Sequence, residues 1–215
     1  MRRVAGELWS NLPTLLGANL LWLAFTTPYL AIVALGLYLP SLVVVPFTTL
    51  PAFVGLLYCA GRIARGEPVS PLDVLRGLRA SYWRSCGLGL LTVLLLAGNQ
   101  FSYHVLSAAN APVWLVVLWA LQLSLLILLG LLHVHTFALI ALYDASVGAA
   151  LRNAFVLSFG HPWPTVGLFS LTLLLSYTLV IGPGVVIIVP AVLAMFLVHN
   201  TLMLAERRRI RGNAA

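Results

Sequence analysis

The 215-residue chain is 61% hydrophobic and 8% charged, whereas a soluble domain is about half apolar and a quarter charged. A soluble globular protein is excluded, because a domain of this size still exposes about a third of its unfolded surface. Twelve arginines, no lysine and five acids give a formal net charge of +7, but the arginines punctuate apolar runs and form no continuous basic face, so nucleic acid is not expected as a partner.

Met1, Arg2 and Arg3 open like a signal peptide, yet Glu7 follows and no small-residue cleavage site ends the apolar run. An uncleaved first span from about Leu12 to Leu39 is expected. Pro40 and Ser41 read as a turn, and Leu42 to Gly61 as a second span, kinked or partly irregular because Pro46 and Pro51 each remove a helix hydrogen bond. In the polar stretch from Arg62 to Arg84, Ser70, Pro71 and Asp73 supply a capping hydroxyl, a first-turn proline and a carboxylate. Leu72, Leu75, Leu78 and Tyr82 recur there at helical spacing, beside a face with Arg76, Arg79 and Trp83. This predicts a short interfacial helix with its arginines toward anionic lipid. Ser85 to Val105 is the third expected span, with Gly87 and Gly89 placed for close packing.

Ser107 to Pro112 reads as a turn around Asn110, and Val113 to about Leu142 as the fourth span. Asp144 is expected to cap a second interfacial helix carrying Val147, Leu151 and Phe155 beside Arg152 and Asn153, which makes the two halves look like a weak duplication. Thr165 to Ile181 is the fifth span. Gly182, Pro183 and Gly184 turn the chain into the sixth, Val185 to Leu204, which ends at Glu206 and the basic cluster Arg207, Arg208, Arg209 and Arg211.

The sum is an all-α, polytopic membrane protein, one membrane domain over residues 1–215. It is a six-transmembrane-helix bundle with two short interfacial helices on the cytoplasmic face. Charge tests the count. Six crossings place both termini on one side with the 62–84 and 143–164 segments, and that side collects all twelve arginines: Arg2, Arg3, Arg62, Arg65, Arg76, Arg79, Arg84, Arg152, Arg207, Arg208, Arg209 and Arg211. Splitting or merging any span would scatter them. Because such residues stay cytoplasmic, both termini are expected on the cytoplasmic side of the membrane.

Polar side chains within apolar spans are the candidate functional groups, since each costs a few kcal/mol unless partnered. Asn19, His133, His135, His199 and Asn200 fall in the cytoplasmic half and are expected to form one polar layer. Asn99, Gln100 and Gln122 form a second layer in the outer half, with His104 near the outer surface. Two such layers suit a solute or proton path; the plainer alternative is interhelical hydrogen bonding, at about 1 kcal/mol per contact. No carboxylate lies deep in a span, which counts against coupled transport. His133 and His135 point about 200° apart around a helix, so they cannot share one ion as a four-residue spacing would. No nucleophile elbow or phosphate loop occurs, so neither enzymatic activity nor any cofactor is expected. Cys59 and Cys86 read as free thiols.

Short patterns run through most of the chain: Asn19, Leu20, Leu21 and Trp22 before Thr27 and Pro28; Thr49, Leu50, Pro51 and Ala52 leading to Arg62–Glu67; Tyr143 and Asp144; Leu151, Arg152, Asn153 and Ala154; and His161, Pro162, Trp163 and Pro164. In these the chain resembles the YesL-like family of bacterial integral membrane proteins. The resemblance implies a six-helix inner-membrane protein, of a kind in some cases encoded beside carbohydrate uptake and degradation systems. The absence of lysine and the prolines of the second span depart from that pattern. The expected role is an accessory or scaffolding component whose partners are the bilayer, anionic lipids at the cytoplasmic face, and a membrane-protein partner or a second copy. A small solute transporter or channel built on the polar layers is the alternative.

Overall fold

The computed structural model describes residues 6, 9–107, 112–181 and 188–213. Eight helices follow one another among them: α1 (Leu12–Ala34), α2 (Tyr38–Val44), α3 (Thr49–Ala64), α4 (Asp73–Leu106), α5 (Val113–Tyr143), α6 (Val147–Gly160), α7 (Pro162–Ile181) and α8 (Val189–Asn213). Four stretches are long and apolar enough to cross a membrane, namely α1, α4, α5 and Val189–Glu206 of α8.

Helix α1 places Pro13 in its first turn, where the missing N–H has no helical acceptor to lose. It ends five residues before the expected boundary. Gly36, at φ 77°, lets the Leu37 N–H reach the Ile32 carbonyl at 3.1 Å and its own N–H reach Val33 at 2.9 Å, which is a Schellman closure. The same pair of bonds recurs at Gly66, from Glu67 to Arg62 and from Gly66 to Ile63. The turn expected at Pro40 and Ser41 is therefore absent, and both residues lie inside α2. The second apolar segment is broken rather than bent: residues 45–48 form a turn around Pro46, and α3 starts afresh at Thr49. Pro51 then falls in the first turn of α3, where it costs no bond.

The interfacial helix expected at 70–84 is not a separate element. Asp73–Leu106 is one helix of 34 residues, because nothing between Arg84 and Ser85 breaks a backbone; only the side-chain polarity changes there. Asp144 is not the cap of α6. It closes α5 in the left-handed region at φ 52°, and Ser146 caps α6 by accepting from the Ala149 N–H. Helices α6 and α7 are separated at His161, and Pro162 opens α7. The two halves thus differ, one with a continuous helix and one with an interrupted pair. The expected turn tips, at Asn110 and at Gly182, Pro183 and Gly184, lie outside the described residues, as do Arg2 and Arg3.

Helix α3 is the centre of the core. Val54, Leu56, Leu57, Cys59 and Ala60 are fully buried, and the helix packs against α1, α4, α5 and α8. Its seam with α4 is made of glycines. A Cβ on Gly55 would sit 2.4 Å from the Val74 carbonyl, one on Gly77 would sit 2.5 Å from Tyr58 Cβ, and one on Gly89 would meet Leu50 and Pro46. Gly87, expected to share this role, faces open space. Close backbone approach of this kind lets dispersion hold helices together where lipid removes the hydrophobic drive.

Contacts also fix direction. Gly17 meets Pro71 and Phe25 lines a groove with Leu75 and Leu78, so α1 and α4 run the same way. Gly89 meets Leu50 while Arg62 meets Asp73, so α3 returns between them. Thr92 pairs with His133 and Ser102 with Gln122, so α5 opposes α4.

Candidate functional site

The histidines of α5 point to opposite sides, as their spacing requires, and each finds its own hydroxyl partner. The Thr165 hydroxyl donates to the His161 carbonyl at 3.0 Å, which leaves its oxygen to accept from His135 Nε2–H at 3.1 Å. Nδ1 of the same ring lies 3.0 Å from the Thr201 hydroxyl, which can donate to it when the ring is neutral. One neutral tautomer thus satisfies a directed chain from α8 through α5 to α7. His135 and Thr201 are fully buried, and Thr165 nearly so. On the other face, His133 Nδ1 bonds the Leu129 carbonyl, one turn back, and Nε2 lies 3.0 Å from Thr92 Oγ1 on α4. The Thr92 hydroxyl is also 3.0 Å from the Leu88 carbonyl, so its single proton is shared between the two acceptors.

The expected inner layer is therefore not one cluster. His133 joins α5 to α4, while His135 joins α5 to α7 and α8. Asn19 is buried in α1. His199 and Asn200 line a groove of about 400 Å³ between α7 and α8, with Pro164, Leu168, Leu171 and Phe196. In the outer set, Gln122 accepts from the Ser102 hydroxyl at 2.8 Å. Asn99 is half-buried, and its Nδ2 has no partner among the described residues. Gln100 and His104 are exposed. Thr92, Ser102, Thr165 and Thr201 were not legible as site residues, because hydroxyls in apolar helices usually bond their own preceding turn; only the packing of helices brings them to His133, Gln122 and His135.

The arginines divide into two groups. Arg62 donates to Glu67 and to Asp73, each at 2.9 Å, and Arg65 donates to the Leu142 carbonyl at 2.8 Å. Arg84 reaches both the carboxylate and the carbonyl of Asp144. The last two occupy carbonyls that the end of α5 leaves without helical donors. The hydrogen bond to Glu67 chiefly, with the nearby Asp73 charge, raises the Arg62 guanidinium above its ordinary value against the effect of burial. Asp73 itself is buried and also accepts from the Ser70 N–H at 2.9 Å, the reciprocal half of a capping box. Arg62, Arg65 and Arg84 are consequently structural, not free for lipid. Arg76, Arg79 and Arg152 are exposed. The side chains of Arg207, Arg208, Arg209 and Arg211 lie outside the described residues, on the helical extension of α8.

These features define a class: an all-α, multi-pass membrane protein whose polar interior is bonded between helices. No family model, curated protein or solved structure matches the chain.

Proposed function

We propose that the chain is an accessory or scaffolding protein of the bacterial inner membrane, of the YesL-like type that its motifs resemble, working beside a carbohydrate transport system. It crosses the bilayer six times with both termini cytoplasmic and performs no enzymatic step. The observation that carries this reading is the His135 chain: a fully buried imidazole whose two nitrogens each lie within hydrogen-bond distance of a hydroxyl on another helix. Both ring nitrogens are engaged in joining α5 to α7 and α8, which supports a packed interior bonded between helices. The six crossings are supported by direction. Since α1 and α4 are parallel, α2 and α3 make the return, and α7 supplies the fifth crossing between α5 and α8.

A second reading, a small solute transporter or channel, draws on the groove that reaches His199 and Asn200. Uptake of labelled sugars into proteoliposomes containing the full chain separates the two. The scaffold reading expects flux equal to that of empty vesicles. Saturable uptake that disappears in a Gln122→Leu and His199→Leu double variant would overturn it.

A further inference from the structure

Of the arginines whose side chains are described, those at 62, 65 and 84 are engaged by carboxylates and helix-end carbonyls. Arg76 and Arg79 are different. Arg76 touches Asp73 through one nitrogen but is 76% exposed, and Arg79 is exposed with no partner among the described residues. Both flank a groove of about 370 Å³ between α1 and α4, whose remaining lining is Phe25, Leu75 and Leu78. Trp83, 79% exposed, shares their helix face at the i, i+3, i+7 spacing. Tryptophan collects at the headgroup level of a bilayer, so the two guanidinium groups stand where lipid phosphates are.

We propose that this groove binds one anionic phospholipid, with its phosphate between Arg76 and Arg79 and its glycerol and first acyl carbons against Phe25 and Leu78. Guanidinium forks match phosphate oxygens in geometry as well as charge. The apolar floor argues for a lipid rather than a free anion, which would gain nothing from Phe25 or Leu78. A neighbouring cavity of about 430 Å³ meets this one at Arg76 but contains Asp73 and Arg62. There the carboxylate opposes an anion, which leaves the Arg79 side as the phosphate position. The inference does not rest on the scaffold reading; a transporter with the same groove would bind the same lipid.

Native mass spectrometry of the full chain, released from detergent and titrated with phosphatidylglycerol or phosphatidylcholine of matched chains, tests it. One phosphatidylglycerol is expected to be retained in preference to phosphatidylcholine. Arg79→Gln should weaken it about fivefold, and the Arg76→Gln and Arg79→Gln pair about thirtyfold. Arg152→Gln, an exposed arginine on α6, should leave it unchanged, and millimolar inorganic phosphate should not displace it. Equal retention of the two lipids, wild-type affinity in the Arg79→Gln variant, or displacement by inorganic phosphate overturns the proposal. Circular dichroism of each variant verifies the fold. Should the double variant not fold, Arg79→Gln and Phe25→Ala decide the matter, because neither breaks an ion pair.

Discussion

Replacing Gly55 by alanine tests the glycine seam directly. The added methyl would lie 2.4 Å from the Val74 carbonyl oxygen and 3.0 Å from Val74 Cγ1. The first obstacle is backbone, so no rotamer change relieves it, and α3 and α4 must part by about 1 Å to restore an ordinary contact distance. A gap of that size forfeits about a quarter to a half of the dispersion well for every atom pair along the seam, and overpacking of this kind costs about 1–3 kcal/mol. Alanine also favours a helix over glycine by about 1 kcal/mol, which masks part of the loss. Gly87→Ala supplies the correction, since its methyl meets nothing within 4 Å and reports propensity alone. Unfolding of both variants in mixed detergent micelles, followed by circular dichroism, should therefore place Gly55→Ala about 1–3 kcal/mol below Gly87→Ala. A difference under about 0.5 kcal/mol, the scatter of neutral surface substitutions, would refute the packing argument.

Three further outcomes are expected. His135→Leu should cost about 1 kcal/mol, from two interhelical bonds of about 0.6 kcal/mol each, and should couple to Thr165→Val and to Thr201→Val in double-mutant cycles; strict additivity would show that the bonds carry no energy. Cys59 and Cys86 are buried thiols, so a maleimide should label neither in the folded protein and both after denaturation. Asp144→Ala and Asp144→Gly both lose the carboxylate contact with Arg84 and keep the carbonyl one, but only alanine retains a side chain at φ 52°. Its variant should be about 1 kcal/mol less stable than the glycine one, as thermal unfolding would measure.

Much of this fold was legible because apolar runs announce helices. The fourth expected span differs from α5 by a single residue. What misled the reading elsewhere was the assumption that a change of polarity ends a helix. At Arg84 and Ser85 the surroundings of the side chains change while the backbone continues into α4. Gly36, not Pro40, ends α1, because a left-handed glycine can close a helix end, whereas a proline in a first turn is compatible with one beginning. Asp144 was likewise given the cap that Ser146 supplies, since a carboxylate and a hydroxyl two residues apart are equally good caps until φ is known.

The polar residues were located by their cost in hydrocarbon, but their partners were not. The angle between His133 and His135 correctly separated them, and it should also have excluded the single layer drawn through both. Which hydroxyl each meets depends on how α4, α7 and α8 are arranged around α5, which no local pattern encodes. The arginines were read as lying on a single side of the membrane; the use of Arg65 and Arg84 at the α5 carbonyls depends on segments far apart in sequence converging.

The unbroken run of α4 has a mechanical implication. Its 34 residues extend about 51 Å, well beyond the roughly 30 Å of a bilayer interior, so the rod either leans or protrudes. Without a proline or a turn to act as a joint, tilting its guanidinium-bearing end swings Gln100 and Phe101 with it.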